Sequence, residues 1–256
     1  MLLCVVDMVE GVTQLHDVVY IVCQFSSAIR RYSMTTREQL TGIDVKGLSW
    51  PQDIAACELT SQLYVSDWRE ECIWRVSSDG KDVRRWWKSS DMFTPRTLSV
   101  TSSRLLMTSR HTGELIQLSA GGDVLRRVHL PSYMKLLRHS VESPTGTFIV
   151  SHLNYQLNRQ GQVSEVNDEG DVLRQSSRSS LGVPRHIAVD SQGNIFVADW
   201  DNCRILLLDA QLALRRVIID DRQLKDERPR RLCYIEHLGQ LIVGFNYSIK
   251  VFNVFQ

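Results

Sequence analysis

The chain has 256 residues, which is enough to bury a sizeable apolar core in one large β domain or two small ones. Its net charge of +1 provides no overall attraction to nucleic acid or to a membrane surface. The hydrophobic and charged fractions of 43% and 23% argue against a disordered or fibrous chain. No apolar run approaches the roughly 18 residues that a membrane helix requires, so no membrane partner is expected.

The six cysteines are scattered along the chain, and no C-x-x-C pair suggests a zinc ribbon or a RING. Buried free thiols in a reducing compartment are therefore expected, which favours a cytoplasmic location. The first seven residues lack the basic region of a signal peptide and are interrupted by Asp7. They are more typical of a β-strand.

A repeat of 42 to 47 residues runs along the chain, and such a period is typical of propeller blades. The clearest copy begins at Pro184, and the other copies begin at Pro51, Pro95, Leu137 and Pro229, with a degenerate copy starting near Met8. Each copy contains short runs of strand character separated by turn signals, and no helical period competes with them.

These repeats predict an all-β fold, a six-bladed β-propeller with four-stranded antiparallel blades that forms one domain over residues 1–256. A single small sheet exposes both faces, whereas six sheets stacked around a channel bury those faces against each other. The last copy has only three evident strands, and residues 2–7 have no partner in the first copy. We therefore expect residues 2–7 to supply the outer strand of the last blade and close the ring.

The segment from Pro184 to Leu206, PRHIAVDSQGNIFVADWDNCRIL, resembles an NHL repeat. The copy at Pro51 keeps the aspartate at Asp67 but lacks the Gly-Asn turn, and the WD40 signature is absent because the order is Asp-Trp. NHL propellers are best known as the C-terminal domains of tripartite-motif proteins, where they bind RNA or protein beside a RING ubiquitin ligase. Because the sequence contains no RING, the resemblance implies at most an adaptor that selects substrates for a ligase.

Four arginines occupy equivalent positions just after the blade starts, namely Arg96, Arg138, Arg185 and Arg230. In a propeller these positions enter the innermost strands, so the arginines are predicted to ring one mouth of the central channel. Like charges held close together repel each other unless anions or carboxylates compensate them. Two interpretations follow: the arginines pair with neighbouring Asp or Glu, or they bind an anion such as an RNA phosphate.

The next position in the repeat carries His139, His186 and Arg231 in the last three copies and Asp53 in the copy at Pro51. Six-bladed relatives with lactonase or lyase activity hold a metal in the channel, and catalytic zinc requires three protein ligands and an open position. Arg231 would repel such a cation. Channel-lining histidines that form hydrogen bonds are therefore favoured over a metal site, and no cofactor is expected.

Trp68 and Trp200 follow Asp67 and Asp199 at equivalent strand ends. The aspartates are predicted to accept backbone N–H bonds from the following loop, which is a structural role. The tryptophans are expected on the same face as the arginines, where an exposed ring could stack on an unpaired base or contact a peptide.

Paired arginines also recur in the predicted outermost strands, at Arg84–Arg85, Arg126–Arg127 and Arg215–Arg216. They either protect a sheet edge from aggregation or form a lateral basic surface.

No nucleophile elbow, phosphate loop or H-E-x-x-H motif occurs. The sequence therefore predicts a non-catalytic binding platform that recognises a protein segment or single-stranded RNA through its arginine-bearing face. The alternative is a hydrolase or lyase with a metal in the channel.

Overall fold

The computed structural model describes residues 2–4, 7–89, 93–109, 112–177 and 181–254. It shows six four-stranded antiparallel sheets and almost no helix, so the predicted all-β, six-bladed propeller is confirmed.

The first half of the chain forms the strands β1 (Leu2–Cys4), β2 (Val9–Leu15), β3 (Val18–Cys23), β4 (Ala28–Ser33), β5 (Gln39–Asp44), β6 (Pro51–Cys57), β7 (Gln62–Asp67), β8 (Cys72–Ser77), β9 (Val83–Lys88), β10 (Pro95–Thr101), β11 (Arg104–Ser109), β12 (Glu114–Leu118) and β13 (Val124–His129). The second half forms β14 (Met134–Glu142), β15 (Phe148–Asn154), β16 (Gln160–Val166), β17 (Val172–Gln175), β18 (Pro184–Val189), β19 (Ile195–Asp199), β20 (Arg204–Leu208), β21 (Leu214–Ile219), β22 (Arg231–Ile235), β23 (Gln240–Gly244) and β24 (Ser248–Asn253).

Each blade is a meander of strands that are consecutive in the chain, except for the last one. Blades 1 to 5 consist of β2–β5, β6–β9, β10–β13, β14–β17 and β18–β21. Blade 6 has the order β1-β24-β23-β22, in which Leu2 pairs with Lys250 and Cys4 with Ser248. The N-terminal strand therefore completes the last blade as predicted, although β1 covers only three of the six residues that the sequence suggested; residues 5 and 6 lie outside the described residues.

The apolar core lies between the blades. Six clusters of buried apolar side chains fill the six interfaces between neighbouring sheets, including the interface between blade 6 and blade 1. In the interface between blades 5 and 6, for example, Phe196 packs in one cluster with Leu241, and both are fully buried. Burial of such side chains contributes roughly 1.5–3 kcal/mol each, so every blade depends on both neighbours.

The helical content is limited to short connections. A four-residue α-helix spans Asp221–Leu224, and 3₁₀ turns span Glu58–Thr60, Tyr155–Leu157 and Glu236–Leu238. Within the described ranges, no helix has the length and apolar character needed to cross a membrane. The five cysteines whose side chains are described are free thiols.

Candidate functional site

The innermost strand of each blade begins at the same mouth of the channel, and in blades 1 to 5 its pairing with the second strand is irregular there. In blades 1 to 5 the register between the first and second strands shifts by a β-bulge near the start of the inner strand. A bulge inserts an unpaired residue and redirects its side chain, as often happens at the rims of barrels. In blade 6 the corresponding residue, Arg230, immediately precedes β22 and donates its N–H to the carbonyl of Gly244 at 2.8 Å.

These six positions form what we term the mouth ring, made of Glu10, Gln52, Arg96, Arg138, Arg185 and Arg230. The four predicted arginines therefore occupy consecutive blades, 3 to 6. The sixth member, Glu10, was missed by the sequence analysis because the first repeat lacks its initial proline. Its distance from Gln52, 42 positions, matches the blade spacing and could have identified it.

The two interpretations of the arginines apply to different members of the ring. Arg230 is buried, and its Nη2 donates to both carboxylate oxygens of Glu10, at 3.0 and 3.1 Å, while its Nη1 donates to Asn246 Oδ1 at 2.9 Å. Arg230 is therefore neutralised within the protein. Burial lowers its pKa, and the carboxylate of Glu10 opposes that shift.

Arg185 has a different environment. In the part of the chain that the structure describes, no carboxylate lies within 4.0 Å of its guanidinium. Burial together with four neighbouring guanidiniums lowers the pKa of Arg185 to about 8; these neighbours are Arg230, Arg231, Arg138 and Arg96. A bound anion would reverse this shift, because an opposite charge favours the charged form.

A second layer of side chains lies one residue further along each inner strand, and we term it the channel ring. It consists of Gly11, Asp53, Thr97, His139, His186 and Arg231. Arg231 is almost completely buried. Its Nη2 donates to the carbonyl of Gln52 at 2.9 Å, and its Nε donates to the carbonyl of Glu10. Arg231 thus links blade 6 to blades 1 and 2 rather than facing the mouth.

His139 and His186 stack in the channel, with ring centroids 3.6 Å apart and planes inclined by 22°. His139 Nε2 lies 3.2 Å from the carbonyl of Leu98, to which it can donate, and His186 Nδ1 accepts from the N–H of Leu232 at 3.4 Å. Burial lowers the pKa of both histidines well below the usual range, so both are neutral. The structure therefore brings these predicted residues together as hydrogen-bonding groups.

The same two histidines lie close to Asp53, and potential ligand atoms of the three residues are within 4.8 Å of one another. A zinc ion lies about 2.1 Å from each imidazole nitrogen and close to the plane of each ring. Two nearly parallel rings stacked at 3.6 Å cannot direct their lone pairs at one such point. In addition, Arg231 Nε is 3.7 Å from Asp53 Oδ1 and already supplies a positive charge. This arrangement does not fit a metal.

Trp50 and Trp68 line the mouth beside blades 1 and 2, and Phe25 packs against Trp50. We term these three side chains, Phe25, Trp50 and Trp68, the aromatic cluster. Trp50 lies centrally, 4.8 Å from the ring of Phe25 and 4.9 Å from that of Trp68, measured between centroids. Phe25 is 66% exposed and Trp68 39% exposed. Only Trp68 was predicted, because Phe25 and Trp50 lie in segments without repeat signals.

Trp200 does not provide the open stacking surface that was expected. The guanidinium of Arg228 lies 4.2 Å from its ring centroid, and that of Arg185 lies 5.5 Å away. Cation–π contacts of this kind hold the arginine in place. Trp200 therefore helps to position Arg185 beside the mouth.

Asp67 accepts backbone N–H bonds from the following loop as predicted, whereas Asp199 accepts side-chain hydrogen bonds from the residues that follow it and a backbone N–H from the preceding loop. Asp67 accepts backbone N–H bonds at 2.9–3.3 Å from Ser49, Trp50, Arg69 and Glu70. Asp199 accepts from the N–H of Gly182 at 2.9 Å and from Arg204 Nε at 2.9 Å. Both carboxylates are fully buried. They fix the loops that carry Trp68 and Trp200.

The paired arginines lie in the outermost strands β9, β13 and β21, away from the mouth. Several of them pair with nearby carboxylates, as Arg85 does with Glu70 at 2.7 Å and Arg215 with Asp209 at 2.9 Å. This supports their role in protecting the sheet edges.

A depression of about 190 Å³ occupies the mouth, and its walls combine both types of side chain. It is lined by Glu10, Gln24, Trp50, Gln52, Trp68, Arg96, Arg185 and Arg230. Pockets for small-molecule ligands usually measure about 300–1,000 Å³, so this depression suits one or two side chains of a partner.

Comparisons with known proteins agree with the fold. Residues 181–206 match the NHL repeat family model. No curated protein matches the chain. Among solved structures, the nidogen–laminin complex contains a chain that is 17% identical, with 88% of this chain and 84% of that chain covered and a TM-score of 0.68.

Two enzymes are also similar in structure. For the virginiamycin B lyase of Staphylococcus aureus the identity is 12%, the coverage 95% of this chain and 79% of that one, and the TM-score 0.70. A gluconolactonase from Xanthomonas campestris is 12% identical, with 98% of this chain and 89% of that chain covered and a TM-score of 0.73. At such low identity these similarities show the fold alone. The chain is thus a six-bladed β-propeller in which one blade matches the NHL repeat, and nothing in the comparisons is specific to tripartite-motif proteins.

Proposed function

We propose that the chain is a non-catalytic binding platform and that its channel mouth recognises an acidic segment of a partner protein. The observation that carries this proposal is Arg185, a half-buried guanidinium among four other arginines, without a carboxylate within 4.0 Å among the described residues. A cation held in this way is costly in the free protein. A carboxylate or phosphate group of a partner would neutralise it and gain charge-assisted hydrogen bonds.

Two features favour a protein segment over RNA. The depression accepts one or two side chains, and the positive charge does not continue around the mouth ring, because blades 1 and 2 contribute Gln52 and the internally paired Glu10. Unspecific RNA binding instead uses a positive groove that follows the backbone over several nucleotides. A propeller of similar fold is found in a protein–protein complex, that of nidogen with laminin, which makes such a role reasonable for this architecture.

The test uses fluorescence polarisation with three labelled probes: a decapeptide containing four glutamates, the same peptide with phosphoserines at those positions, and a ten-nucleotide oligouridylate. The proteins are the unchanged chain, Arg185→Gln, and the control Arg84→Gln on the exposed strand β9. A charge-assisted hydrogen bond contributes enough for loss of Arg185 to weaken peptide binding by about tenfold or more. Arg84→Gln should leave it unchanged.

If oligouridylate bound more tightly than both peptides and this binding depended on Arg185, the partner would be RNA and not a protein segment. Absence of binding to either peptide at low salt would overturn the proposal, and so would equal weakening by the two substitutions.

A further inference from the structure

The mouth ring is chemically divided. Its arginines lie on blades 3 to 6, whereas blades 1 and 2 contribute the uncharged Gln52 and the internally paired Glu10. The aromatic cluster lies on this second side. Since Trp50, Trp68 and Arg185 all line one depression, the cationic and apolar sides are continuous.

Phe25 is unfavourable in the free protein for two independent reasons. Its side chain is 66% exposed, and its backbone has φ = +60°, a left-handed conformation that bulky residues rarely adopt. Strain of this kind costs of order 1–3 kcal/mol and is concentrated at binding sites and ligand clamps. A glycine would satisfy this backbone without strain and without an exposed ring. The contact of the phenyl group with Trp50 is therefore set against both an exposed ring and a strained backbone.

The charge at the mouth indicates what covers the aromatic cluster. A purely apolar partner that filled the depression would leave the guanidinium of Arg185 desolvated and without a counter-ion. A partner that brings an acidic group together with an apolar one satisfies both sides of the depression. In an extended peptide, side chains two residues apart lie on the same side, about 7 Å from each other.

We propose that the aromatic cluster is a second subsite, and that the partner is an extended peptide segment in which a bulky apolar residue lies within a few positions of a carboxylate or phosphate group. This inference rests on the proposed function of the cationic side. The acidic group binds at Arg185, and the apolar side chain packs against Phe25 and Trp68.

The probes for the test are labelled twelve-residue Gly/Ser peptides. One carries two adjacent glutamates only. The others add a leucine or a tryptophan one, two, three or four positions from the glutamates, and a parallel set carries phosphoserine. The quantity measured is the apolar gain, defined as the ratio of the Kd of the peptide without the apolar residue to the Kd of the peptide with it.

For the unchanged chain we expect an apolar gain of about tenfold at one or more spacings, since burying such a side chain contributes that much affinity. In Phe25→Gly and Trp68→Ala the gain should fall towards one, while Phe25→Gly keeps or raises the thermal midpoint. The matched control is Tyr155→Ala, an aromatic residue on the same face that is 40% exposed, lies on blade 4 and is not part of the aromatic cluster. This control should retain the gain.

Each contrary result has a distinct meaning. An apolar gain near one at every spacing, combined with Arg185-dependent binding, overturns the second subsite and leaves the proposed function intact. A gain that persists in both aromatic variants also overturns it, because the apolar side chain then binds elsewhere. Failure of all acidic peptides to bind overturns the proposed function and the second subsite together.

Discussion

Arg230 and Glu10 join the last blade to the first at the inner edge of the propeller: Arg230 Nη2 donates to both carboxylate oxygens of Glu10, at 3.0 and 3.1 Å, and both side chains are buried. The outer edge of blade 6 is completed by β1, from which the chain leads directly into blade 1. The ring is thus closed at two radii, by strand pairing outside and by an ion pair inside.

Glu10→Gln should destabilise the protein strongly, because it leaves the buried Arg230 without its carboxylate and leaves Arg231 with Asp53 as its remaining carboxylate neighbour. Breaking one partner of a buried pair costs about 3–5 kcal/mol, and urea unfolding measures this loss. Glu70→Gln serves as the control: it removes the 2.7 Å pair with Arg85 on the exposed strand β9 and should cost at most about 1 kcal/mol. Equal losses in the two variants would show that the inner ion pair does not help to close the ring.

Gly11→Ala should also be severely destabilising. A Cβ atom there would lie 2.6 Å from the backbone nitrogen of Ile54 and 2.8 Å from Val22 Cγ2, so blades 1 and 2 would have to separate. Overpacking of this kind costs about 1–3 kcal/mol or more. Gly121→Ala is the control, since a Cβ atom there would lie 3.3 Å from Asp123 Oδ2 and 3.4 Å from Ser119 Oγ. A Gly11→Ala protein as stable as the control would contradict the close approach of the blades.

Removal of residues 1–7 should lower the thermal midpoint far more than trimming an unpaired tail would. The deletion exposes the backbone of β24, which pairs with β1 from Ser248 to Lys250, and an open edge also favours aggregation. A synthetic peptide of residues 1–7 added in trans should restore part of the midpoint by adding a strand to this edge. An unchanged midpoint in the truncated chain would show that β1 is dispensable for closure.

The repeat period predicted the blades well because strand and turn signals recur in each copy, as they do between Pro184 and Ile219. It predicted the position of the mouth arginines for the same reason. Their partners could not be derived, because Glu10 lies in the degenerate first copy and Arg228, which covers Trp200, lies in the loop before β22, outside the repeat signals. The sequence therefore located the candidate site but not which cations remain available in it.

Acidification should destabilise the protein through its buried histidines. His152 Nε2 lies 2.8 Å from Ser164 Oγ, and burial lowers the pKa of His152 to about 4. In the unfolded chain this pKa is near 6.5, so the unfolded state takes up the proton first. The stabilising contribution is fully present above pH 6.5 and is lost as the pH falls towards 4, with a loss of about 2 kcal/mol between pH 7 and pH 5.

Urea unfolding at pH 7, 6 and 5 measures this dependence. His152→Gln should lose about 2 kcal/mol less than the unchanged chain over this interval, because the substitution removes the titrating group. His237→Gln, at an exposed position, should follow the unchanged chain. Identical slopes for all three proteins would mean that His152 remains as accessible to protons in the folded state as in the unfolded one.

Replacement of Arg185 by glutamine and replacement of Arg230 by glutamine should have opposite effects on the free energy of unfolding, although both side chains line the mouth. Arg185→Gln removes a cation that lies among four others, so the free energy of unfolding should stay constant or rise by about 1 kcal/mol as like-charge repulsion is relieved. Arg230→Gln leaves Glu10 without its closest partner and should lower the free energy of unfolding by about 3 kcal/mol.

Added salt provides a second measurement, because screening weakens repulsion between partly exposed charges. The unchanged chain should therefore gain stability from 0.05 to 0.5 M NaCl, over which the Debye length falls from about 14 Å to about 4 Å, and Arg185→Gln should gain less. If Arg185→Gln were as destabilising as Arg230→Gln, or if its stability rose with salt as steeply as that of the unchanged chain, Arg185 would be part of the internal ion-pair network and unavailable to an acidic partner.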